Sequence, residues 1–129
     1  MVKQIPERTN AVARAVVDAS FAVHRTLGPG LLESVYERCA VHELGKRGLP
    51  VASQVTLPIV YDGTRLGAAL RMDLVVADCV VVELKAIEAL APVHTAQMLT
   101  YLKLSGLRLG LLINFNVPVI RDGIRRVAL

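Results

Sequence analysis

Residues 72–85 read MDLVVADCVVVELK, and they carry the fold of the chain. Val, Leu and Met fill the stretch, as buried strands require. Ala77, Asp78 and Cys79 read as a tight turn between two short strands. Side chains alternate faces along a strand, so Glu83 and Lys85 share a face with Val81 between them. A hairpin centred on Asp78 sets Asp73 opposite Glu83 on that same face. The directly opposed pair is then expected about 5 Å apart. The other face reads Met72, Leu74, Val76, Val80, Val82 and Leu84, all apolar, and is expected to be a core face. Burying two carboxylates and an ammonium is costly unless they are paired or hold an ion.

Outward from this hairpin, Thr9 or Asn10 is placed to cap a first helix running to about Leu27. Val12, Val16, Ala19, Val23 and Leu27 fall on one of its faces. Gly28-Pro29-Gly30 stops it. A second helix is predicted over residues 31–47, with Leu32, Val35, Tyr36 and Cys39 as its apolar stripe and Gly48 as its stop. Residues 51–61 read as a strand, and Pro58 inside it signals an edge position or a bulge. Asp62-Gly63 is a hairpin signal. Strands over residues 65–76 and 80–86 follow. A third helix is predicted over 93–105, ended by Gly106. Residues 107–115 read as an almost wholly apolar strand, covered on both faces. Asp122-Gly123 leads into a short final strand ending at Val127. A helix between the third and fourth strands favours a crossover that makes them parallel. The expected class is α/β: a mixed central sheet flanked by helices, in the order α-α-β-β-β-α-β plus a short C-terminal strand.

Composition bounds the function. The 129 residues suit a single domain spanning 1–129, and 53% hydrophobic residues exclude a disordered chain. No apolar run approaches the roughly 20 residues that span a bilayer, so no membrane role is expected. The first ten residues, MVKQIPERTN, hold no hydrophobic signal region, and Cys39 and Cys79 are two lone thiols. Both features favour a reducing, cytoplasmic location. Net charge is +4, with eleven of the fifteen basic residues Arg. This suits a phosphate-bearing partner, although the charge is dispersed and only Arg125-Arg126 forms a tight pair. That pair reads as a solvated tail. His24, His42 and His94 lack zinc spacing, and Cys39 with His42 offers only two ligands.

Asp73, nine residues, then Glu83-Leu84-Lys85 resembles the PD-(D/E)xK nuclease pattern, an acid on one strand and (D/E)xK on the next. The strand–strand–helix–strand order around it resembles that superfamily's restriction-endonuclease-like core. Gly30-Leu31-Leu32-Glu33-Ser34-Val35-Tyr36 is a GxxExxY motif, and Gln97 with Tyr101 supplies QxxxY on the following helix. With residues 109–115, these motifs resemble the bacterial GxxExxY protein family over about residues 12–127. The sequence departs from the superfamily pattern in one place: Met72, not Pro, precedes Asp73.

The resemblance implies phosphodiester hydrolysis in nucleic acid, DNA ahead of RNA, with Mg²⁺ as cofactor and Mn²⁺ as its substitute. Asp73 and Glu83 would supply hard carboxylate oxygens, and the Leu84 carbonyl a third. Lys85 would stand beside the attacking water or the developing charge. Glu33 would be a further ligand or a water-positioning group, expected to join Asp73 and Glu83 in a three-carboxylate cluster with at least one raised pKa. Gln97 and Tyr101, with His94 on the same helix face, would orient Lys85 or touch phosphate. Cutting a duplex would take a homodimer or successive nicks. Blander readings stand beside these. Asp73, Glu83 and Lys85 could form a structural ion-pair network. Glu33 could serve the helix dipole, Tyr36 could be core packing, and Gln97 and Tyr101 could simply pin their helix to the sheet. The whole could also be a nuclease-fold module that binds nucleic acid or a protein without cutting.

Overall fold

The computed structural model of the chain describes residues 4–129, apart from the side chain of Ala68. Two helices come first, α1 (Glu7–Leu27) and α2 (Glu33–Lys46). Three strands follow, β1 (Val51–Tyr61), β2 (Thr64–Val76) and β3 (Val80–Lys85). Helix α3 (Pro92–Ser105), strand β4 (Leu109–Asn114), a 3₁₀ turn (Ile120–Gly123) and β5 (Ile124–Ala128) complete the chain. The five strands form one sheet in the order β1-β2-β3-β4-β5. β3 and β4 are parallel, joined through α3, and the other neighbours are antiparallel. This is the mixed α/β architecture expected from the element order, and it fits the restriction-endonuclease-like core that the resemblance implies.

Helices cover both faces of the sheet. Val12, Val16, Ala19 and Val23 of α1, with Tyr36, Ala40 and Leu44 of α2, pack on Leu74, Val76, Val80, Val82, Leu84, Leu111 and Ile113. On the opposite face Met98, Tyr101 and Leu102 of α3 pack on Val75, Val81 and Leu112. Every residue of β4 is buried, as its apolar run requires. Pro58 sits on the edge strand beside a register shift between Pro58 and Val60, where its missing N–H costs no ladder bond. Asp62 and Gly63 both take positive φ, 54° and 69°, the geometry of a tight hairpin turn.

Helix α3 and the second core cover the Val75–Val81 part of the face that bears Asp73, Glu83 and Lys85. Several expectations change. Met72 does not pack with Leu74 and Val76; it belongs to the α3 side. The alternation breaks because Gln54, opposite this point on β1, has φ of 54° and interrupts the ladder between Ser53–Leu74 and Val55–Met72. Val51 accordingly packs toward α1 and α2 whereas Val55 packs toward α3. Helix α1 starts earlier than predicted, with extended Pro6 as its N-cap in place of Thr9 or Asn10. The buried stripe of α2 is Tyr36, Ala40 and Leu44; Leu32 precedes the helix as its N-cap and is 74% exposed, and Val35 is exposed as well. Arg125 and Arg126 are not a solvated tail: Arg125 Nη1 donates to Thr95 Oγ1 at 3.0 Å, and Arg126 Nη2 to Asn10 Oδ1 at 2.7 Å, tying β5 to α3 and α1.

Candidate active site

Strands β2 and β3 pair regularly near their turn, Val76 with Val80, Val75 with Val81 and Leu74 with Val82. At the next pair the side chains take over from the ladder. The Asp73 N–H donates to Glu83 Oε2 at 2.6 Å, and the Leu84 N–H donates to Asp73 Oδ2 at 2.9 Å. Each carboxylate thus satisfies a backbone amide of the opposite strand, which fixes the two acids side by side in the mouth of the hairpin. Amide donors to a carboxylate are strong, charge-assisted bonds. Each bond engages one oxygen of its acid.

The turn between α1 and α2 aims Glu33. Gly28 and Gly30 take φ of 66° and 99°, which a side chain at either position would strain. The Tyr36 hydroxyl donates to the Gly28 carbonyl at 2.6 Å and accepts from the Leu31 N–H at 3.1 Å, so it clasps both sides of this turn. Its ring stacks on Phe115 at 4.5 Å, and the Phe115 N–H donates to the Lys85 carbonyl at 2.9 Å. The GxxExxY residues therefore make one local device: glycine bends the chain, tyrosine locks the bend, and the helix opens with Glu33. Glu33, Ser34 and Glu37 of α2 line a cavity of about 270 Å³ with Gln54, Asp73 and Leu84.

The other predicted residues arrive from the opposite face. Tyr101 is buried on α3, one turn after Gln97, and lies within the fields of Glu83 and Asp73. Lys85, half-buried at the end of β3, acts through space on Asp73, Glu83 and Glu33. His94 is not part of this group; its Nδ1 accepts the Ala91 N–H at 2.8 Å and caps α3. Among the described residues the ion pairs are Arg14–Glu7, Lys46–Glu43 and Arg47–Glu43, all away from the site. A structural ion-pair network of Asp73, Glu83 and Lys85 is thus not what holds the acids.

Burial dominates the electrostatics. Glu83 is 3% exposed, and burial, then the neighbouring Asp73 charge, pushes its pKa up to about 8. Burial also raises Asp73, opposed by the Leu84 amide, Lys85, Gln54 and Arg71. Glu33 is raised, first by desolvation and then by the charge of Asp73. Tyr101 is raised by burial and by both acids. The three carboxylates sense one another but do not close into a cluster. Among the described residues no three His, Cys, Asp or Glu side chains come together as a metal-holding group. Glu33 stands across the cavity on its helix, whereas Asp73 and Glu83 are tied to backbone amides between the strands.

A family model described as the PD-(D/E)XK nuclease superfamily matches residues 10–127. The chain belongs to that superfamily. Neither a curated protein nor a solved structure matches it. The residues expected to fill that pattern are Asp73 as the first acid and Glu83-Leu84-Lys85 as the (D/E)xK. The proline that often precedes the first acid is replaced by Met72, which is buried against α3. Gln54 and Glu37 escaped the sequence reading. Gln54 is an isolated polar residue in a strand otherwise read for its apolar pattern, and Glu37 looks like any exposed helix acid. No helix of the described residues is long and apolar enough to cross a membrane.

Proposed function

We propose that this PD-(D/E)XK protein is a metal-dependent phosphodiesterase acting on nucleic acid, with Asp73, Glu83 and Lys85 at its centre and Glu33, Gln97 and Tyr101 around them. The single observation that supports it best is the Asp73–Glu83 pair. Two carboxylates side by side, Glu83 buried and Asp73 half-buried, each held by the other strand's amide and neither by an ion pair, are costly as a structural device. As a receptor for a hard cation they are apt, since the donor set is oxygen and both acids are biased toward protonation until a positive charge arrives. Mg²⁺ or Mn²⁺, when bound, would neutralise phosphate charge and acidify water.

The chain's own groups divide the remaining work. Asp73 and Glu83 would hold the cation through their carboxylate oxygens, giving up a proton to do so. Lys85 presents an ammonium beside them and stabilises negative charge developing on the phosphate oxygens. Glu33, across the cavity from Asp73, orients water on the α2 side. Gln97 and Tyr101 close the site on the α3 side, and the buried Tyr101 hydroxyl remains a proton donor because its own ionisation is disfavoured. The GxxExxY family is the narrower relationship these motifs support. We take the chain as one domain working in the cytoplasm, on DNA ahead of RNA. One site cuts one strand per encounter, so a duplex requires a homodimer or successive nicks.

Calorimetric titration of Mg²⁺ and Mn²⁺ into wild type and Asp73→Ala, followed by cleavage of single- and double-stranded DNA and RNA, tests this function. Wild type should bind the ion and cut, and Asp73→Ala should do neither. A folded wild type that cuts nothing, and binds nucleic acid equally with and without metal, would establish a binding module instead.

A further inference from the structure

Among the described non-glycine residues four have positive φ, and three of them, Asp62, Ala77 and Asp78, lie in turns. Gln54 alone takes this conformation inside a strand, with φ of 54°. L side chains rarely adopt it, and such strain persists where the surrounding structure demands it, most often at functional sites. Glycine would take the same φ without strain. The position nevertheless carries a long amide, and it sits where the β1–β2 ladder lapses, opposite Asp73.

The amide has a use. Its Nε2 donates to Glu37 Oε1 at 2.7 Å, spanning from the edge strand to α2. It also lies opposite Asp73 at the lapse in the ladder, where it favours the charged form of that acid against the effect of burial. Gln54, Glu37, Asp73 and Glu33 line the same cavity. An amide NH₂ has two protons and can serve two acceptors at once. Glu37 accepts one of them and thereby orients the group, as an outer carboxylate orients a ligand's partner in metal sites.

We infer that Gln54 is a positioning residue: its strained backbone and its Glu37-anchored amide hold the Asp73 carboxylate in the orientation that receives the cation. The inference rests on the proposed metal site and adds to it a residue outside the D…ExK and GxxExxY motifs. Strain at Gln54 costs stability and serves the site, a trade of stability for function.

Glycine separates the two contributions. Gln54→Gly removes the amide and relieves the backbone, whereas Gln54→Met removes the amide at similar length and keeps the strain. Both should lose about 10-fold in Mn²⁺ affinity by calorimetry, the usual scale for an outer-shell partner. Gln54→Gly should melt no lower than wild type, and Gln54→Met should melt below Gln54→Gly. A Gln54→Gly protein that binds Mn²⁺ as wild type does overturns the inference. So does one whose loss of affinity comes with a lower melting temperature, because the residue then serves the fold alone. Wild type that binds no Mn²⁺ refutes the metal site itself, and the role of Gln54 falls with it.

Discussion

The two ends of the β2–β3 hairpin are built from the same strands and do opposite things. At the closed end Leu74, Val76, Val80 and Val82 are each at most 1% exposed and the ladder is regular. Apolar burial there stabilises the fold at about 25 cal/mol per Å². One pair further on, Asp73 and Glu83 replace ladder contacts with side chain–amide bonds and put two acids where burial disfavours their charge. The closed end needs nothing beyond the chain to be stable. The open end is stable in its charged form only when a cation compensates it. Stability and chemistry are thus separated by a single residue pair along one hairpin.

The largest expected effect lies at the open end. Lys85→Ala should lower turnover by on the order of 10²–10³ while leaving Mn²⁺ affinity near wild type, because its contribution belongs to the reacting complex. Single-turnover cleavage beside calorimetry checks this. An equal loss of metal binding would move Lys85 from the reaction to the cation site.

The closed end should answer in stability alone. Leu74→Ala, at a fully buried position, should cost about 3 kcal/mol in urea unfolding, the usual scale for a truncated core leucine. If it costs less than about 1 kcal/mol, the closed end is not the anchor that the comparison makes it.

A pH series joins the two ends. Glu83 titrates near 8 in the folded chain against an ordinary 4.5. Between those values the folded state keeps a proton that the unfolded state has lost. Metal-free stability should therefore be greatest below about pH 4.5 on this account and fall as pH rises toward about 8. Asp73 and Glu33, also raised, add to the same trend. Glu83→Gln should flatten most of the slope and melt higher than wild type at pH 8. Mn²⁺ binding near pH 7 should release about one proton, read from the buffer dependence of the calorimetric heat. A wild-type melting temperature that rises across this range would contradict the protonated Glu83.

The smallest effect is expected from Tyr36→Phe. It keeps the ring stacked on Phe115 and removes the hydroxyl that clasps Gly28 and Leu31. About 1 kcal/mol of stability should go, the net value of a typical hydrogen bond, with only a small change in Mn²⁺ affinity. A loss of affinity as large as that from Asp73→Ala would show that the turn sets the whole site and not Glu33 alone.

Much of the fold was legible because its signals are local. The period of α1, the Gly28–Gly30 stop, the Asp62-Gly63 turn, Pro58 on the edge strand and the apolar run of β4 each follow from a few adjacent residues. The Asp73–Glu83 pairing was legible for the same reason, since a turn centred on Asp78 sets the register of a short hairpin. The side chains facing the core of α2 were misjudged at Leu32 and Val35, because a helix shows its period in sequence but not which way it is rolled.

The chain by itself determined the order of elements, the parallel crossover through α3, and the acids and lysine that converge at one hairpin mouth. Tertiary structure decided the rest. It covered the charged face with α3, rolled Met72 away from Leu74, and set Glu33 across a cavity instead of inside a three-carboxylate cluster. It also brought Gln54 to Asp73. The physical reason is range. Turn chemistry and side-chain alternation act over a few residues, whereas desolvation, the mutual repulsion of Asp73 and Glu83, and the left-handed twist at Gln54 exist only once distant segments are packed together.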